Sequence, residues 1–127
     1  MCRGRYPDRC ACVPSRLPRL LEPALLLALA ERGEKHGYEL LAAVNQMGLA
    51  ENEADPGAVY RTLRQLESEG YLMSRWHTGE AGPARRIYRL TPAGRELLSF
   101  WAEMLRRRHA ALGDFLKRCD SLSDVGD

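Results

Sequence analysis

The chain has 127 residues, 45% hydrophobic and 28% charged, with a formal net charge of +2. That length suits one domain that can bury a core and would gain further from oligomerisation. The near-neutral total argues neither for nor against a polyanionic partner, and no apolar run approaches the roughly 20 residues needed to cross a membrane.

Residues 1–19 show no clear periodicity and hold three of the four cysteines. Pro23 to Arg32 reads as an apolar helix ended by Gly33. Arginines precede this stretch and Ala28-x-Ala30 imitates a signal-peptidase site, but Glu22 and Pro23 interrupt it. A helix packed on both sides explains it better, and a cytoplasmic location is expected. Gly37 to Met47 reads as a second helix with Tyr38, Leu40, Leu41 and Val44 inward, and residues 48–54 as a polar loop. His36 suits a turn or helix cap better than a metal site.

Asp55 is a good N-cap and Pro56 suits the first helical position. Val59, Leu63 and Leu66 recur at helical spacing, and Gly70 ends that helix in a left-handed conformation. Tyr71 to His77 and Arg86 to Leu90 read as strands joined by a Gly/Pro loop. Thr91 then caps a long helix starting at Pro92 and running to about Lys117, before an acidic tail.

A helix presenting Tyr60, Arg61 and Arg64, followed by an arginine-flanked hairpin, is the layout of a winged helix-turn-helix. The expected fold is mainly α with a small β-hairpin and a long C-terminal dimerisation helix. The segments are a Cys/Arg-containing extension (1–19), a DNA-binding domain (20–91), the dimerisation helix (92–118) and the tail (119–127). Of 19 basic residues, 17 are Arg, grouped at Arg3 to Arg19, Arg61 to Arg64, Arg85 to Arg89 and Arg106 to Arg108. Arg61 and Arg64 share a face with Gly57 and with the helix N-terminus, which attracts phosphate. Double-stranded DNA is the expected partner, through Gly57, Tyr60, Arg61, Arg64, Arg85 and Arg86.

The last helix carries Leu97, Leu98, Trp101, Met104, Leu105, Leu112, Phe115 and Leu116 in one broad apolar stripe. A helix of ~25 residues is ~37 Å long, more than so small a body can cover. Pairing with a second copy about a two-fold axis is expected, through Leu98, Trp101, Leu105, Leu112 and Phe115.

From Leu20 to about Leu116 the chain resembles the PadR family of transcriptional regulators. The resemblance rests on HGYEL at His36 to Leu40, on GAVYRTLRQLESEGYL from Gly57, and on RRIYRLTPAG from Arg85 to Gly94. It implies a dimeric repressor whose first and last helices form the interface, bringing Leu25 into it. It also implies that the Tyr60 hydroxyl faces a phosphate. Trp101 would pack in the interface as an ordinary core tryptophan, or stack on its symmetry mate or sandwich a small aromatic effector as in multidrug-responsive members. The segment before Leu20 and the wing tip Glu80-Ala81-Gly82-Pro83 depart from the family pattern, leaving wing contacts to Arg85 and Arg86.

Cys2, Cys10, Cys12 and Cys119 form a last candidate set. If the chain ends meet in the dimer, these sulfurs would hold zinc or an iron–sulfur cluster and couple metal or redox state to dimer geometry. The alternative is four unrelated thiols. No phosphate loop, nucleophile elbow or paired-acid cleft argues for an enzyme, and Glu67 with Glu69 reads as plain helix surface. A winged helix used only for protein contacts is the rival reading.

Overall fold

Four helices and three short strands follow one another as α1 (Leu21–Arg32), β1 (Lys35–His36), α2 (Gly37–Met47), α3 (Pro56–Ser68), β2 (Leu72–His77), β3 (Arg85–Leu90) and α4 (Pro92–Val125). The computed structural model describes residues 20–49, 53–78, 82 and 84–125. Cys2, Cys10 and Cys12 lie outside the described residues.

α1 is apolar all round because it is enclosed on several sides. Ala24, Leu25, Leu26, Ala28 and Leu29 are buried, and the helix contacts α2, α3, β3 and α4. Leu40 of α2, Val59, Leu63 and Leu66 of α3, and Leu72 of β2 complete this core. Each such side chain contributes about 1.5–3 kcal/mol through its burial.

β1 is the element that sequence periodicity could not reveal, since two residues have no period. It pairs antiparallel with β3, Lys35 opposite Tyr88 and His36 opposite Ile87, giving the sheet order β1-β3-β2. His36 occupies the N-cap position of α2, and its backbone N–H donates to Glu39 Oε1 at 2.9 Å. Tyr38, expected inward, instead stands 51% exposed with the Arg85 guanidinium 5.1 Å above its ring.

α3 forms as its caps dictate. Asp55 Oδ2 accepts from the Ala58 N–H at 3.0 Å, and Pro56 begins the first turn. At the other end Gly70 has φ +90°; its N–H donates to Glu67 O at 3.0 Å, and Tyr71 N–H reaches Leu66 O at 2.9 Å. This pair of bonds is a Schellman motif, and its left-handed position favours glycine.

α4 begins with a knot of hydrogen bonds. Thr91 Oγ1 donates to Gly70 O at 2.7 Å and accepts from Gly94 N–H at 3.1 Å, while Thr91 N–H donates to Tyr71 O at 3.1 Å. A Cβ on Gly94 would lie 2.2 Å from Tyr71 O and 2.8 Å from Leu90 Cδ2. Only a glycine lets the first turn of α4 approach the start of β2 so closely. The helix then runs 34 residues to Val125, past the end expected near Lys117. Its acidic, serine-containing end contains no proline and Gly113 does not interrupt it, so most of the expected tail is helical.

Two interface expectations need correction here. Leu25 is 0% exposed within a single chain, so its side chain has no surface to offer a partner. Trp101 is 6% exposed, and its indole N–H donates to Glu22 Oε2 of α1 at 2.9 Å. A buried tryptophan needs such an acceptor. It therefore joins α4 to α1 inside one chain, and neither face of its ring is open to a symmetry mate or a flat effector.

Gly94→Ala should cost about 1–3 kcal/mol by overpacking against immovable backbone. The reading is a lower urea midpoint at unchanged slope. Gly113→Ala, where a Cβ meets nothing within 4 Å, should not destabilise the same helix.

Candidate nucleic-acid interface

Val59, Leu63 and Leu66 anchor α3 inward, which leaves Gly57, Tyr60, Arg61 and Arg64 on its exposed side. Tyr60 leans against buried Gly37 of α2; a Cβ there would lie 2.3 Å from its Cε1 and 3.0 Å from its hydroxyl. The glycine of HGYEL thus makes room for the tyrosine of AVYRTL. Gly57 also has close neighbours, since a Cβ would lie 3.0 Å from Asp55 Oδ2 and 3.2 Å from Arg61 Nη1. It keeps space for the capping carboxylate as well as an open approach.

The hairpin register separates the two wing arginines. Trp76 lies opposite Arg86 and Ser74 opposite Tyr88, whereas Arg75 lies opposite Ile87 and His77 opposite Arg85. Alternation then puts Ser74, Trp76, Arg86 and Tyr88 on one face and Arg75, His77, Arg85 and Ile87 on the other. Arg85 stacks on Tyr38 at 5.1 Å. Arg86 donates through Nε to Ser74 Oγ at 3.0 Å, and Ser74 Oγ donates to Glu67 Oε2 of α3 at 2.6 Å. The Arg86 guanidinium also lies 4.9 Å from the Trp76 ring centre.

The Ser74–Glu67 bond shows that the first of these faces is the one α3 shares, and the Tyr88 phenol on it feels both elements. Burial pushes its hydroxyl above the usual phenol range; Arg86 and Arg64 oppose that shift, and Glu67 and Tyr60 add to it. Charges from both helix and wing therefore act on one phenol. The opposite face holds an ion-pair cluster of its own. Glu34 accepts from Arg75 at 2.6 Å and lies 3.9 Å from Arg89. Its carboxyl is held below the usual range first by the Arg75 hydrogen bond, then by the charges of Arg75, Arg89 and His77, against some desolvation.

The expected DNA-facing residues thus fall into two groups. Tyr60, Arg61, Arg64 and Arg86 belong to α3 or to the wing face beside it, while Arg85 stands apart over Tyr38. The sequence reading missed Ser74, Trp76 and Glu67. Period-two alternation links Ser74 to Trp76, but nothing in a single strand says which face meets a helix.

Of the expected interface residues, Leu98 and Leu105 are half-buried against the core, and Leu112 and Phe115 are exposed. Cys119 is an exposed free thiol on α4. Among the described residues no group of three or more His, Cys, Asp or Glu could hold a metal ion, so a four-sulfur site would depend on residues outside them.

The family model for the transcriptional regulator PadR-like family matches residues 26–99. A transcriptional regulator of Mycobacterium tuberculosis is 39% identical over 74 residues, 58% of this chain and 65% of that protein. An uncharacterised 37.1 kDa protein in a transposon of Streptomyces fradiae is 36% identical over 83 residues, and the chain spans 22% of its length. Among solved structures, a PadR-like transcriptional regulator from Bacillus cereus superposes with TM-score 0.67 at 24% identity, covering 79% of this chain and 94% of that one. A PadR family regulator from Eggerthella lenta gives TM-score 0.63 at 26% identity, covering 83% and 92%.

The Glu34 cluster predicts a titration. A depressed carboxyl stabilises the fold above its unfolded value near 4.5, and that contribution fades as pH falls through the lower folded value. Carboxyl NMR should place the Glu34 midpoint below 4.5 in the wild type and return it toward the ordinary value in Arg75→Ala.

Proposed function

The chain belongs to the PadR-like family of transcriptional regulators, and we propose that it represses transcription as a homodimer on an inverted-repeat DNA operator. The observation that carries this reading is the division of α4. Its first half packs on α1, whereas every residue from Arg106 to Leu122 is exposed, including Leu112 (55%), Phe115 (61%), Leu116 (57%) and Leu122 (72%). A 34-residue helix is about 50 Å long, so this half extends well past the core. Apolar side chains repeating along it suit a second copy of the same helix, and a two-fold pairing would present two copies of α3.

The DNA contact follows from α3. Its outward face offers Tyr60, Arg61 and Arg64, and the Arg86 side of the wing lies beside it. In a major groove, an arginine on that face can fork onto guanine or hold a phosphate. Repression is the sign of regulation that the family resemblance implies.

Leu112→Glu and Phe115→Glu should yield folded monomers, because both side chains lie outside the chain's own core. Trp101→Glu should unfold the chain instead, since it buries a charge beside Glu22. Sedimentation with circular dichroism separates these outcomes, and an intact dimer for both surface variants contradicts the pairing.

Arg64→Ala should weaken duplex binding by about 1–3 kcal/mol and blur one base pair if it reads guanine. If it holds phosphate, binding should weaken evenly and the salt slope flatten by about one unit. Duplex binding no stronger than binding to an acidic competitor would favour a protein-contact module, whereas a repressor should show a steep negative salt dependence.

A further inference from the structure

Arg86 is held in a way that no other described arginine is. Its Nε donates to Ser74 Oγ at 3.0 Å, that hydroxyl donates to Glu67 Oε2 at 2.6 Å, and the guanidinium lies 4.9 Å from the Trp76 ring centre. One nitrogen and one face of the group are thereby engaged. The two Nη groups remain, and they form the fork that matches a phosphate. Arg75 and Arg89, by contrast, pair with Glu34 on the other face.

We propose that Ser74 and Trp76 position Arg86 as a preset clamp for a DNA backbone phosphate, anchored through Glu67 to α3. This inference rests on the DNA-binding reading above. Its physical basis is ordering. A free surface arginine loses rotamer freedom when it meets a phosphate, whereas Arg86 already holds its orientation in the unbound chain. Because the anchoring carboxylate belongs to α3, the clamp moves with that helix and stays in register with Arg64. Trp76 is 60% exposed, a costly place for an indole unless its ring serves as the platform for the cation.

The test is a double-mutant cycle on the full chain, read as affinity and salt slope. The probe is a mixed-sequence duplex of about 30 base pairs, long enough for two half-sites a helical turn apart. Arg86→Ala should flatten the salt slope by about one unit. Ser74→Ala and Trp76→Leu should each weaken binding about two- to tenfold, the scale of ordering one long side chain, with the slope retained. In the Arg86→Ala background neither should have any further effect, and Ser74→Thr, which keeps the hydroxyl, should restore wild-type affinity. Equal losses from Ser74→Ala and Trp76→Leu in both backgrounds would overturn the positioning role. Loss of binding in Arg64→Ala with none in Arg86→Ala would overturn the clamp while leaving DNA binding intact. A wild-type chain that does not bind the duplex would overturn both.

Discussion

One side chain, Thr91, fixes how the two working helices sit relative to each other. Its hydroxyl donates to Gly70 O at the end of α3 and accepts from Gly94 N–H in the first turn of α4. Its own N–H holds Tyr71 O, the carbonyl against which Gly94 is pressed. The Schellman turn at Gly70 aims the chain into this contact, and Gly94 allows the helix to come close enough to make it. Small polar groups with no slack set a relative orientation more tightly than apolar packing alone, since each bond is directional. Any two-fold pairing along α4 would therefore also set the separation of two α3 helices.

The same economy appears in the charges. A chain with net charge +2 has no general attraction for a polyanion, so the placement of its arginines matters more than their number. Arg75 and Arg89 are engaged with Glu34, and Arg85 lies over Tyr38. Arg64 and Arg86 are left on the α3 side of the wing, where both charges act on the Tyr88 phenol, and Arg61 stays exposed on the same helix. Glu67 helps select this set. As an acid on the helix it works against phosphate, but through Ser74 it turns Arg86 toward its own helix.

Much of this was legible in the chain. Asp55, Pro56 and Gly70 bounded α3 because capping and left-handed backbone are local chemistry. Thr91 was identifiable as a cap for the same reason. What escaped depends on contacts distant in sequence. β1 exists only because β3 lies beside it, and Tyr38 turns outward because Arg85 arrives over it. Trp101 was expected at the subunit contact, since periodicity marks a helix face as apolar without naming what covers it. Glu22, 79 residues earlier, supplies the covering contact. The arginines of the wing likewise reveal their two faces only through the cross-strand register.

Hydroxyl-radical footprinting of the wild-type chain on its selected duplex tests the central claim most directly, that α4 pairing presents two recognition helices in a fixed relation. The account predicts two protected patches on one side of the duplex, symmetric about a centre and a whole number of helical turns apart, about 10 base pairs each. A single unsymmetrical patch, or two patches whose spacing varies from site to site, would contradict it.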